Sequence, residues 1–315
     1  MLNQPYPSVG GVCRGPTISR RRPLHGKRRS AMTTEVVSTA EFSMEEMVLL
    51  QKLGHVSNYP GVLEIWAPEY YWNPHIPGSE EEGEAEARES LTRQGVINSQ
   101  GVADPTIAHW LRILQRPDIE LDARTWKDGE RLQLCVCRRG PAHVVAMQYN
   151  GLIMLQPLDE GTEITGIGQI CGPLFSVLGD AEIPSFEPVN LRVADAAAID
   201  KRVSEKGADF YSELRNIGAS ESAARFLTEN LSDPHKMYRS EISLLQYVPG
   251  KSILGSLGVG VFDTMAGRIV ATPRRGIDEQ AWTTFMPGTN ARIAAAVEQA
   301  IETVPSKDWF AAARG

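Results

Sequence analysis

Asn150-Gly151 lies between two strand-like runs, Ala142–Tyr149 and Leu152–Pro157. A two-residue connection of this composition closes a tight hairpin, because both residues tolerate positive φ. Parallel strands need a much longer crossover, so the strands it joins must be antiparallel neighbours. Ile119–Trp126 and Leu132–Arg138 precede the pair at short spacing and complete a predicted four-strand meander. A second set of four follows near Met237–Tyr247, Leu257–Asp263, Arg268–Thr272 and Ala281–Met286. Each set is preceded by an amphipathic helix. In the first, Asp104 and Pro105 open a helix whose Ile107, Trp110, Leu111 and Leu114 share one face. In the second, Ser220 precedes Ala223, Phe226, Leu227 and Leu231. A helix also follows each set: Thr165–Leu178 before Gly179, and a helix capped by Thr289 with the stripe Ile293, Val297, Ile301 and Val304. Helix, antiparallel meander, helix thus occurs twice, although residue identity between the copies is negligible. The expectation is an α+β chain with a quasi-twofold repeat, each half holding an antiparallel meander with flanking helices.

The remaining segments fit around this frame. Val36–Phe42 reads as a strand, and Ser43 with Glu46 forms a capping box opening a short apolar helix that Gly54 ends in the left-handed conformation. Val62–Trp66 reads as a second short strand. Tyr70–Gly78 reads as a loop, and Ser79–Gln94 as a solvated acidic helix with a capping box from Ser79 to Glu82. Pro184–Val193 is an extended connector, with helices expected over Ala194–Lys206 and Phe210–Asn216. The predicted division is a basic head over residues 1–31, one half over 32–183 and the other over 184–315.

Charge narrows the function classes. The chain has 315 residues, with 32 basic and 39 acidic side chains. Seven of the basic ones, Arg14, Arg20, Arg21, Arg22, Lys27, Arg28 and Arg29, lie in a head that contains no acid. The rest of the chain is therefore strongly acidic, about −14, and repels phosphates. No nucleic-acid partner is expected. The head lacks the apolar segment of an export signal between Ser30 and Phe42, and the expectation is disorder, or translation starting at Met32. No apolar run approaches the roughly 18 to 20 residues of a membrane helix, so membrane insertion is not expected. Cys13, Cys135, Cys137 and Cys171 have neither the number nor the spacing of a disulfide framework or a zinc set. They read as small packing residues in a reducing cytosol.

Catalytic signatures are missing. The histidines, His25, His55, His75, His109, His143 and His235, are scattered, with no nucleophile motif beside them. Gly255, Gly258 and Gly260 lead into the strand Val261–Asp263, whereas a phosphate loop opens a helix. No catalytic, metal-binding or cofactor-binding residue is assigned, and no cofactor is expected.

A resemblance supplies a positive reading. Gly267-Arg268, Thr272-Pro273-Arg274, Trp282, Phe285 to Thr289, and Trp309-Phe310 closely resemble the C-terminal end of the EspG family. That family comprises cytosolic partners of actinobacterial type VII (ESX) secretion systems. Gly95 to Leu121, with the Arg116-Pro117-Asp118 turn, and Cys137-Arg138-Arg139-Gly140 with His143 also look like family sequence. The likeness runs from about Val36 to Phe310. It implies a quasi-symmetric fold around a central sheet and a cytoplasmic chaperone, not an enzyme. Such a chaperone binds the PPE subunit of a PE–PPE heterodimer at its apolar helical tip and directs the pair to its ESX machine. The other classes to weigh are a small-molecule enzyme with an unrecognised cleft and a regulatory protein-interaction module.

The resemblance places the partner groove on the central sheet and the helices of the C-terminal half, here Phe210–Asn216, Ser220–Leu231 and the strand from Met237. Within these, Phe210, Tyr211, Met237, Tyr238 and Arg239 have the aromatic, Met and Arg composition of an interface and form the candidate partner-binding set. Phe210 and Met237 could equally be core residues. The Trp72–Gly78 loop is the next candidate. Trp282, Phe285 and Trp309 are expected to anchor the scaffold.

Overall fold

The computed structural model describes residues 38–66, 79–158, 161, 163–277 and 279–314. The basic head, the Tyr70–Gly78 loop and the Ser79 capping side chain lie outside the described residues.

The first half runs β1 (Ala40–Ser43), α1 (Met44–Leu53), α2 (Ser79–Arg93), α3 (Pro105–Gln115), β2 (Ile119–Lys127), β3 (Glu130–Arg139), β4 (Ala142–Tyr149), β5 (Leu152–Pro157), α4 (Ile167–Ile170) and α5 (Gly172–Leu178). The second half runs β6 (Val189–Arg192), α6 (Val193–Lys206), α7 (Phe210–Asn216), α8 (Glu221–Leu231), β7 (Met237–Val248), β8 (Lys251–Leu254), β9 (Val259–Thr264), β10 (Gly267–Arg275), β11 (Ala281–Pro287) and α9 (Asn290–Ile301). All strands join one antiparallel sheet in the order β1-β5-β4-β3-β2-β7-β9-β10-β11-β6, and β8 pairs with β7 off this path. The order is symmetric about the β2–β7 pair. On either side a meander runs outward, and its last strand pairs with the strand that opens that half. The repeat is therefore longer than its expected core: strand, three helices, meander, helix.

Several helix starts follow from their caps. Ser43 Oγ accepts from Glu46 N at 3.2 Å while the Glu46 carboxylate accepts from Ser43 N at 2.8 Å. Asp104 Oδ1 accepts from Thr106 N at 2.8 Å, and Thr289 Oγ1 from Arg292 N at 3.2 Å. Each satisfies backbone donors that the first turn leaves unpaired.

Four local expectations change. Gly54 is right-handed at φ −85°, and His55 takes the left-handed conformation at φ 51°. Val62–Trp66 is not a strand: Gly61–Leu63 forms a 3-10 turn whose Val62 and Leu63 are buried. Its apolar residues pack over β2, β3 and β4 instead of pairing. Thr165–Leu178 is two short helices, because Pro173, in the first turn of α5, cannot continue the α4 hydrogen-bond ladder. The Pro184–Val193 connector contains β6, which pairs with β11 from Val189↔Phe285 to Arg192↔Trp282.

The sheet is covered unequally on its two faces. One face of β2, β3, β7, β9 and β10 packs Leu121, Val136, Ile242, Leu244, Val261 and Val270 against α4, α5, α9 and Trp309. The opposite face carries two separate clusters. Phe42, Cys135, Cys137, Val144 and Leu155 pack against α1–α3, and Ile269, Val189 and Leu191 pack against α6–α8. β3 is buried on both faces, which explains its unbroken run Leu134–Cys137.

Candidate functional site

The central strand β7 lies at the gap between the two helical layers. Ser240, Ile242, Leu244 and Gln246 are buried on the α9 face, whereas Arg239 and Glu241 are exposed and Ser243 and Leu245 half-buried on the other. Strand alternation alone assigns these sides. Beside Arg239 on the open face stand Trp126 of β2 and Phe262 of β9, its partners in register. The Arg239 guanidinium lies 4.7 Å from the Trp126 ring centroid and donates to Glu241 at 2.9 Å. Phe262 continues the apolar strip towards Phe285, 6.2 Å away, and into the cluster that contains Phe210 and Tyr211. The result is a half-exposed strip of aromatic, Met and Arg side chains with a charged edge, the composition of an interface core.

The five candidate residues do not all share this strip. Met237 and Arg239 are two apart and point to the same side, towards Phe262. Phe210 and Tyr211 of α7 are half-buried against the same cluster. Tyr238 points to the opposite face, because alternate residues of a strand face opposite ways. There its hydroxyl donates to the Asp128 carboxylate at 3.0 Å, and Lys127 Nζ sits 4.9 Å from its ring. Sequence reasoning missed Trp126 and Phe262, which are brought beside Arg239 only by the pairing of β7 with β2 and β9.

The tail residues prove structural. Trp309 is 1% exposed, and its indole N–H donates to His143 Nε2 at 3.1 Å, leaving His143 Nδ1 to donate to the Pro141 carbonyl at 3.1 Å. Arg138 donates to the carbonyls of Gly140 and Ala312, and Asp118 accepts from Gly140 N and Arg314 N. The end of the chain is thereby fastened to the first meander. Trp282 and Phe285 are only half-buried, and Trp282 takes Arg192 over its ring at 5.5 Å.

Gly267-Arg268 and Gly288 make a second fastening. Arg268 grips Asp263 through two hydrogen bonds of 2.5 and 2.8 Å and donates to the Leu178 carbonyl at the end of α5 at 2.9 Å. Gly267 sits at φ +114°, and a Cβ there would collide with the Glu182 backbone, which accepts from Arg268 N at 2.8 Å. A Cβ on Gly288 would come within 2.6 Å of Arg268 Cγ. We expect Gly267→Ala to lower stability by more than about 1 kcal/mol, measured by urea unfolding, since both conformation and space oppose it. An unchanged midpoint would show that the Glu182 segment moves freely.

Two further features bear on chemistry. Glu120, Asp122, Cys135 and Cys137 cluster on one face of β2 and β3, but all four are buried and offer a substrate no access. A hollow of about 580 Å³ is lined by Glu221, Ser222, Arg225, Phe226 and Glu229; all five lie on α8, so it is a surface depression, not a cleft. Among the described residues, no group of three or more His, Cys, Asp or Glu is placed to hold a metal ion, and no helix is long and apolar enough to cross a membrane.

The chain is similar to known proteins over most of its length. It is 27% identical to the ESX-1 secretion-associated protein EspG1 of Mycobacterium tuberculosis over 89% of this chain and 92% of that protein. It is 30% identical to the ESX-3 secretion-associated protein EspG3 of Mycolicibacterium smegmatis, over 87% of this chain and 89% of that one. Its fold is similar to that of the M. tuberculosis type VII secretion system chaperone EspG5, solved in complex with the PE25–PPE41 dimer. The TM-score is 0.70 at 18% identity, covering 88% of this chain and 100% of the other. The EspG family pattern itself matches residues 43–299, and the protein belongs to the EspG family.

Proposed function

We propose that this protein is a cytoplasmic, non-enzymatic chaperone that binds the PPE subunit of a PE–PPE heterodimer and directs it to a type VII (ESX) secretion system. The observation carrying this reading is the uncovered face of β7 at Arg239 and Glu241, flanked by Trp126 and Phe262, opposite a face packed against α9. An apolar helical tip left exposed on a secreted partner is an aggregation hazard, and a half-buried aromatic strip between two helical layers suits its capture. Family membership and the complex named for the EspG5 structure support the same partner class. Phe210, Tyr211, Met237 and Arg239 line the proposed site, with Trp126 and Phe262 added to them. Tyr238, on the opposite face, serves as the internal control.

Co-expression with a PE–PPE pair from a neighbouring locus, followed by pull-down, tests the assignment. Arg239→Glu should abolish the guanidinium stacking on Trp126, place a second carboxylate beside Glu241, and reduce capture at least tenfold, a loss of about 1.4 kcal/mol or more. Tyr238→Ala should retain capture. Loss with Tyr238→Ala and retention with Arg239→Glu would move the site to the α9 side of the sheet.

A further inference from the structure

Glu120 and Asp122 present an electrostatic problem that the partner-binding role does not use. They lie two apart on β2, on the face opposite Leu121, and are 0% and 5% exposed. Glu120 Oε2 accepts from the Tyr247 hydroxyl at 3.0 Å, and Cys137 Sγ is 3.8 Å away. Glu120 Oε1 and Asp122 Oδ1 have no donor among the described residues. Two ionised carboxylates left this way would combine buried charge with mutual repulsion, each costing several kcal/mol. A proton on one carboxyl supplies the missing donor to the other, as in any pair of acids sharing a site.

We propose that Glu120 and Asp122 share a proton in the folded protein and make the β2–β3–β7 seam a pH-responsive element that weakens as pH rises.

The groups around the pair agree with this. On β3, Cys135 and Cys137 face it with thiols that burial pushes up, and the two arginines on the same side of that strand are engaged elsewhere, Arg131 by Glu64 and Arg139 by the Arg112 carbonyl. On β7, Tyr247 is held neutral by burial and by Glu120, and Arg314 stacks over the Tyr247 ring at 5.6 Å. On β2, Arg124 favours the charged form of Asp122, but it is half-buried opposite Glu241. Asp118 is taken up by Gly140 N and Arg314 N, and Glu64, after the 3-10 turn, by Arg131. Burial raises Glu120, and burial followed by the Glu120 charge raises Asp122 well above the ordinary carboxylate range.

The sign follows from proton counting. A carboxyl raised in the folded state keeps its proton where the unfolded chain has lost it. Stability is therefore intact below the unfolded value, near pH 4, and declines as pH rises towards the folded value. Each retained proton changes the folding constant by up to about tenfold per pH unit in that window. Urea unfolding of the full chain between about pH 5 and pH 9 tests this. The wild-type midpoint should fall with rising pH, and Asp122→Asn should flatten the fall, since an amide supplies the donor at every pH. If Asp122→Asn does not fold, Glu120→Gln is the second variant. Infrared spectra of wild-type protein at neutral pH should show a protonated carboxyl band that disappears at alkaline pH. A flat wild-type profile, parallel slopes in wild type and variant, or the absence of that band would overturn the proposal.

Discussion

Trp309→Ala is expected to destabilise the protein by about 3 to 5 kcal/mol, the range for truncating a fully buried aromatic residue. The side chain is 1% exposed in the core cluster that also holds Ile293, Val297, Ala312 and residues of both meanders, and its indole N–H is the donor to His143 Nε2. Removal leaves a cavity at the point where the chain end crosses back to the first half, and it takes away the indole donor to His143 Nε2. Trp309→Phe separates the two effects: it keeps most of the volume and loses the hydrogen bond, so about 1 to 3 kcal/mol should remain. Chemical denaturation monitored by circular dichroism measures both. If Trp309→Ala unfolds at the wild-type midpoint yet loses PE–PPE capture, the tail is part of the binding surface and not the scaffold.

Arg268→Met should cost a comparable amount, about 3 to 5 kcal/mol, because breaking a buried ion pair leaves the other charge behind. The Arg268 side chain is 3% exposed and Asp263 is 19% exposed. The substitution also strips the Leu178 carbonyl, at the end of α5, of the Arg268 donor. Adding Asp263→Leu should recover part of the loss, since removing both charges is far cheaper than removing one. The comparison needs thermal unfolding of the two single variants and the double. A double variant no more stable than Arg268→Met would show that the Leu178 contact, not the ion pair, dominates.

Much of the scaffold was legible in the chain because local chemistry dictates it. Asn150-Gly151 adopts positive φ at both positions and joins β4 to β5 as its composition requires. The Asp104 and Thr289 caps begin their helices where their side chains reach the first free amides. The stripe Ile107, Trp110, Leu111 and Leu114 is buried for the same reason that it is visible as a stripe. The expected helix–meander–helix order and the EspG resemblance lead to the fold that is found.

Long-range pairing is different, because it leaves no mark at the residues concerned. Val189–Arg192 has the extended, proline-led character of a connector, and only its register with Trp282–Phe285 makes it the outer strand of the second half. Val62 and Leu63 are as apolar as strand residues, yet they fill space over β2 and β3 instead of pairing with a strand. Tyr238 and Arg239 are neighbours of similar composition, and alternation could have separated them, but which side of β7 is open depends on where α9 and the two helical layers come to rest. Glu120 and Asp122 look like any polar positions of an exposed strand until Cys135, Cys137 and Tyr247 close over them. What the sequence determined by itself is the set of elements and their caps, since turn, cap and periodicity are interactions between near neighbours. The tertiary structure alone decided the symmetric strand order, the open face of β7 and the buried carboxyl pair, since burial and facing arise from contacts between residues a hundred or more positions apart.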